Sequence, residues 1–430
     1  MKSRTGEPRE DRRAVRAWMM YDWANSAFAT TVLAGFFPIF FKSYWAGGME
    51  GARSTALLGT AASVSVVLVF LVAVGLGSLA DRTGSRRRLL GLFCALGSLA
   101  TMALALVPQG MAVWALALYV VGTLGFAGSS VFYDALLPLI ARPERLDDVS
   151  TRGYALGYLG GGLLFAAQVV LVTFPHLFGL PDKAAAVRVA FVTTGLWWAG
   201  FAVPVLTMIR EEKPAPAGSA LTVVKESFAR LASTIRSIGS YRDLMLFLVA
   251  FWCYMDGVGT IVKMATAYGK DVGLEDVHLI GALLMVQFIG LPATVLFGLL
   301  ARRFGRRRMI LVGIAAYAGV VVFAYFMSRG WHFFVLATVV GLFQGGIQAI
   351  SRSLYASMTP RSRSAEFFGF YNLCARFSTF VGPLVVGWTG GLALNPRFGI
   401  LTLVVLFVAG AVLLVMVKPE RGRARAQEET

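Results

Sequence analysis

The chain has 430 residues, 57% of them hydrophobic and 15% charged, with a formal net charge of +17 and a mean hydropathy of +0.69. A water-facing globule cannot hide that much apolar surface, so the chain belongs in a bilayer. The positive charge would suit nucleic acid, but its distribution argues against that partner: of 40 Lys and Arg, 30 fall on one side of a twelve-span reading, 7 on the other and three inside spans, the bias expected of cytoplasmic loops.

A polar tail, 1–16, precedes apolar stretches at 17–41, 55–79, 89–107, 111–139, 150–174, 188–209, 243–267, 277–300, 309–327, 331–357, 367–390 and 397–417. Each approaches the ~20 residues needed to cross a hydrocarbon core. The charge bias places the tail and the C-terminal stretch 418–430 in the cytoplasm. The first stretch is long enough to span and lacks a small-residue cleavage site, so it is not read as a signal peptide.

Span one opens on "MMYDWANSAFATTVLAGFFPIFF", with Tyr21, Asp22 and Asn25 just inside the apolar run. Asp22 has three readings: an inner-gate group, a proton carrier, or a cap for the helix start, where Asp is favoured. Asp134 in "VFYDALLP" lies at a similar depth in span four, and Arg152 begins span five on the same side. An arginine near both carboxylates would keep them ionised. Span five continues with "GYALGYLGGG", a small-residue face for close helix approach. Trp197, Trp198, Trp331 and Trp388 lie near span ends, where interface anchoring is expected.

The interval 210–242 divides six spans from six. Within it Leu221, Val224, Phe228, Leu231, Ile235 and Ile238 recur at three- and four-residue steps, the spacing of an amphipathic helix on the membrane surface or against the protein's own inner loops. Span seven carries Asp256 near its middle and Lys263 two turns on. Span ten carries Arg352 in a polar stripe with Gln344 and Gln348. In span eleven Arg376 follows Asn372 by one turn. Asp256 offered to an ammonium group, with Arg376 or Arg352 offered to a carboxylate, would suit a zwitterion. The competing reading has Asp256 neutralise Lys263 or Arg376 internally.

The halves resemble each other. "GSLADRTGSRRRLL" (77–90) matches "GLLARRFGRRRMIL" (298–311), and 137–162 has a looser counterpart in 355–382. Two parallel copies of six spans predict two pseudo-symmetric bundles, 17–209 and 243–417, with a site between them.

The stretch "GSLADRTGSRRR", with its degenerate copy, resembles the signature of the major facilitator superfamily. "YDWANSAFAT" in span one and "YMDGVGTI" (254–261) are similar to the branch named for the fungal vacuolar effluxer, an autophagy-related permease implicated in amino-acid release, which has many bacterial relatives. The resemblance implies an all-α integral membrane protein with twelve transmembrane helices and alternating access. It implies that spans one, four, seven and ten line a central cavity. It also assigns Gly77, Asp81, Arg82, Gly84 and Arg86 to the conformational signature, with Asp81 clamping the halves through helix N-termini and arginines. The basic loop residues have a second reading as orientation charges. Two departures stand out: Ser85 occupies a commonly basic position, and Arg302 replaces the aspartate in the second copy.

The expected function is secondary active transport of a small polar or zwitterionic, amino-acid-like solute, coupled to protons or sodium. The alternatives are lysolipid or other amphiphile transport and an uncoupled facilitator. Candidate substrate ligands are Asp256, Arg376, Asn25, Arg352, Gln348, Asn372 and Lys263; candidate proton or gate groups are Asp22, Asp134, Arg152 and Tyr21. Cys94, Cys253 and Cys374 fall in separate spans, and His176, His278 and His332 in outer connections. No cofactor, metal or catalytic centre is therefore expected. The expected setting is a bacterial inner membrane, the expected partners are solute, ions and lipid, and the expected state is a monomer.

Overall fold

The computed structural model describes residues 11–49, scattered positions from 57 to 81, then 83–211, 241–271, 276–327, 330–377 and 400–428. Among these residues no strand occurs. Among the described residues nine helical segments are long and apolar enough to cross a membrane, or ten if the bent pair Leu403–Met416 and Pro419–Gln427 forms one span. Most of the expected spans two and eleven, and the amphipathic stretch expected within 221–238, lie outside the described residues.

The first helix, α1 (Arg12–Ala27), begins ahead of the apolar run because Asp11 caps it, its carboxylate accepting the Arg13 backbone N–H at 2.8 Å. Asp22 therefore lies well inside a helix already started, which removes the capping reading. Beyond Ala27 the backbone widens into a π-helix over Phe28–Gly35, returns to α2 (Phe36–Phe40), and widens again over Phe41–Trp45.

The remaining helices among the described residues are α3 (Arg86–Ala103), α4 (Ala112–Ile140), α5 (Leu146–Thr173), α6 (Lys183–Met208), α7 (Arg242–Asp271), α8 (Asp276–Phe304), α9 (Arg306–Tyr325), α10 (Gly330–Met358), α11 (Ser364–Phe377), α12 (Leu403–Met416) and α13 (Pro419–Glu428). Apart from the polar α13, their lengths follow from long apolar stretches, and their breaks fall at polar or glycine-bearing connections. In both signature copies the chain turns at a glycine with positive φ, Gly84 at 56° and Gly305 at 94°, a conformation costly for any residue with a Cβ. The looser repeat also has matching local structure: a 3₁₀ turn, Pro143–Arg145 or Arg361–Arg363, immediately precedes α5 or α11.

Two compact units divide the chain, and each includes a short segment from the other half of the sequence. The first comprises Met1–Arg145, Leu156–Arg230 and Arg363–Gly369; the second comprises Leu146–Ala155, Leu231–Ser362 and Phe370–Thr430. The exchanged segments are the starts of α5 and α11.

In the first unit α3 packs on α4 and α6, and α1 on α6. Helices α3 and α4 touch backbone to backbone where Gly125 meets Gly97. The glycine face of α5 abuts α1 directly: a Cβ at Gly157 would lie 2.5 Å from Ser26 Oγ, and one at Gly161 3.0 Å from the Ser26 carbonyl oxygen. Trp18 stacks on Tyr133 with ring centroids 4.3 Å apart and donates its indole N–H to the Tyr133 carbonyl at 2.8 Å. In the second unit α8 packs on α10, and α7 on α12.

Candidate functional site

The signature aspartate stands in the first unit against the start of α11. Gly77 leaves room for that approach, since a Cβ there would lie 2.9 Å from the Ala365 carbonyl oxygen. Asp81 accepts the backbone N–H groups of Ala365 and Glu366, both at 2.9 Å, and Arg86 Nε at 2.8 Å. Those amides belong to the first turn of α11, which has no intrahelical acceptor for them and presents the positive end of the helix dipole. The Asp81 side chain is 5% exposed. Burial raises its carboxyl to about 6, against the opposing pull of Arg86 and the two amides.

A second carboxylate, unnoticed in the sequence, completes this arrangement. Glu211 accepts the backbone N–H groups of Arg86 at 3.1 Å and Arg87 at 2.9 Å, capping α3 from the far end of α6. Burial raises Glu211 as well, with those amides and the Arg86 charge opposing. Arg86 thus lies between two carboxylates, 2.6 Å from Asp81 and 3.7 Å from Glu211.

The second signature copy holds the start of α5 by inverted chemistry. Gly298 occupies the position of Gly77, and a Cβ there would lie 2.6 Å from Thr151 Oγ1. Arg302 is exposed and takes no part. Here the incoming helix supplies the carboxylate: Asp147 accepts Arg306 Nε at 2.7 and 2.8 Å on its two oxygens, and Ser353 Oγ also donates to it. The arginine stands where the first copy has Ser85, so the charges are exchanged between partners.

Arg352 works in the same place. It is 2% exposed, donates Nε to Ser150 Oγ at 2.9 Å and Nη2 to the Ser150 carbonyl at 3.0 Å, and lies over the Tyr154 ring at 4.3 Å. Ser150 Oγ in turn donates to the Ala349 carbonyl at 2.8 Å. Arg152, expected beside Asp22 and Asp134, belongs instead to the second unit. Its side chain is 58% exposed and pairs with Asp148 one turn back at 2.7 Å.

Deeper in the first unit, Asp22 and Asn25 on α1 and Asp134 on α4 are buried. Tyr21 is fully enclosed, accepts the Trp198 indole N–H at 3.2 Å, and tilts against Tyr133 at 4.9 Å. Trp198 is therefore a core residue rather than an interface anchor. Trp197 also turns inward, donating to the Trp23 carbonyl at 3.2 Å, whereas Trp331 is exposed; Trp388 lies outside the described residues.

In the second unit Asp256 is completely buried on α7, two residues from Tyr254, whose hydroxyl shares a hydrogen with Ser351 Oγ at 2.7 Å. Asn372 on α11 is buried, and Gln348 on α10 is half-buried. The side chains of Lys263 and Arg376, and Arg82, lie outside the described residues. Charged groups at such depth in apolar helices cost several kcal/mol unless they face partners or a wet cavity.

The family model described as "Vacuole effluxer Atg22 like" matches residues 44–427. The chain is 37% identical over 418 residues to the uncharacterized MFS-type transporter YxiO of Bacillus subtilis, the match covering 96% of each chain. It is 25% identical to autophagy-related protein 22 of Eremothecium gossypii, covering 97% of this chain and 93% of the relative. Among solved structures, the human organic anion transporter MFSD10 superposes with a TM-score of 0.71 at 15% identity, over 95% of this chain and 100% of the other. The proton:xylose symporter XylE superposes with a TM-score of 0.70 at 14% identity, over 94% of both.

Proposed function

Because the chain belongs to the Atg22-like vacuole effluxer family of the major facilitator superfamily, and is thus a multi-pass membrane transporter rather than an enzyme, we propose that it carries a small polar or zwitterionic, amino-acid-like solute by alternating access, coupled to protons. The architecture that goes with this reading has twelve spans in two six-helix bundles, 17–209 and 243–417. The linker 210–242 and the tails 1–16 and 418–430 lie in the cytoplasm of a bacterial cell. The repeated signature and the likeness to whole-length transporter structures support it.

The observation that carries the reading is the burial of Asp22, Asp134 and Asp256 within apolar helices, an expense that a purely structural span avoids. In this reading Asp256 meets the solute's cationic end and Arg376 its carboxylate, with Asn25, Asn372, Gln348 and Lys263 as further ligands. Asp22, Asp134 and Tyr21 serve proton coupling or the gate. Arg352 and Arg152 suit the gate better than the solute, because Ser150 and Asp148 already engage them. The docks at Asp81 and Asp147 are contacts that open and close during the cycle.

A thermal-shift screen of purified protein against amino acids, betaines, peptides and sugars tests the substrate class. A bound ligand at 100 times its dissociation constant stabilises by about 2.7 kcal/mol. An amino acid that shifts the wild type but not Asp256→Asn supports the assignment; stabilisation by sugars alone contradicts it.

A further inference from the structure

The C-terminal helix α13 follows α12 after a 58° bend. Its inward stripe, with Pro419 and Ala426 buried and Gly422 half-buried, faces the rest of the second unit, where a Cβ at Gly422 would lie 2.9 Å from Met358 Sδ. The Lys418 backbone N–H donates to Asp243 at 2.8 Å, and Arg423 Nε reaches Ser357 Oγ at 3.4 Å. These contacts fix which way the helix is turned.

A second stripe is basic. Lys418, Arg421 and Arg425 are exposed and fall at i, i+3 and i+7, about a quarter-turn from the buried stripe. Arg307, also exposed, extends it: its Nη1 donates to the carbonyls of Val415 and Val417 at 3.3 and 3.1 Å, at the bend itself. Only Val417 and Lys418 separate the apolar α12 from α13, so the basic stripe starts within roughly 11 Å of the end of a span. That is headgroup depth, which favours a lipid over a soluble acidic partner.

We propose that the Lys418, Arg421 and Arg425 stripe is a docking surface for anionic phospholipid headgroups, and that this contact keeps α13 seated. The seat has a consequence for the dock at α5. Arg423 lies within electrostatic reach of Arg306 and Asp147, so α13 adds a second cation beside the carboxylate that holds the start of α5. The proposal rests on the membrane assignment, and its test does not read transport.

The test is amide hydrogen exchange of the full chain in lipid nanodiscs, phosphatidylcholine alone against a mixture with phosphatidylglycerol. Each basic side chain near an anionic surface contributes about 1 kcal/mol, so the three slow exchange across 419–428 by about a hundredfold in the anionic discs. In the variant Arg421→Gln with Arg425→Gln the difference shrinks by about tenfold or more, while exchange in α3 is the same in both proteins and both lipids. Equal exchange of the wild-type segment in the two lipids overturns the proposal. So does a lipid response of undiminished size in the double variant.

Discussion

Asp81 shows how one carboxylate can hold two helices and respond to pH. Its carboxyl is raised to about 6 from an ordinary 3.8, so the docked form binds a proton more readily than a form with Asp81 in water. Docking is therefore strongest at acid pH and weakens as pH rises through the window from 3.8 to about 6, by up to about 3 kcal/mol in total. Amide exchange at 364–369, corrected for its intrinsic pH dependence, measures this; docking that tightens with rising pH would contradict it. Asp147 answers to a different test, because across the helix contact it meets a side-chain cation, Arg306, rather than backbone amides. Asp147→Asn removes one member of a buried pair and is expected to cost about 3 kcal/mol or more. Exchanging the pair, Asp147→Arg with Arg306→Asp, recovers about 1–3 kcal/mol of that loss in a double-mutant cycle measured by thermal unfolding. Asp81 was legible because it stands in a motif. Asp147 was not, because the missing aspartate of the second copy is replaced from another helix. Arg352 was visible as part of a polar stripe, but its partner Ser150 lies 202 positions away, beyond any local pattern.

At the scale of the helix, hydropathy marks what lipid can cover rather than where a helix begins. The apolar run starts near residue 17, but α1 starts at Arg12, because Asp11 supplies the cap in a polar stretch that hydropathy ignores. The π-helical turns of the first span were equally hidden, since their composition is that of any apolar helix. The glycine face of α5 was legible as small residues, though not its partner α1. That contact leaves no room for a methyl group. Gly157→Ala is expected to cost about 1–3 kcal/mol, and Ser26→Ala, which deletes the opposing oxygen, to restore part of it; a thermal midpoint unchanged by Gly157→Ala would refute the packing. At Gly84 the penalty is conformational instead, about 1 kcal/mol for alanine at positive φ; Gly305, at φ 94° and ψ 141°, lies outside the left-handed helical region and costs more, about 1–3 kcal/mol.

Across the whole molecule, the repeat read from 77–90 and 298–311 recurs as two docks, each of which holds the start of a helix from the other half of the chain. Their chemistry differs. One sets a carboxylate, paired with Arg86 on its own side, against the backbone amides of the incoming helix and is sensitive to protons; the other joins the incoming helix through an ion pair and a buried guanidinium. In the proposed cycle, opening of both docks would be tuned separately by pH and by ionic contacts. The most direct measurement is uptake of a radiolabelled amino acid, chosen by the ligand screen, into proteoliposomes with membrane potential clamped and a pH gradient imposed. The account predicts accumulation that follows the gradient in the wild type and is lost in Asp256→Asn. Uptake with the same rate and extent whether or not the gradient is present would contradict it.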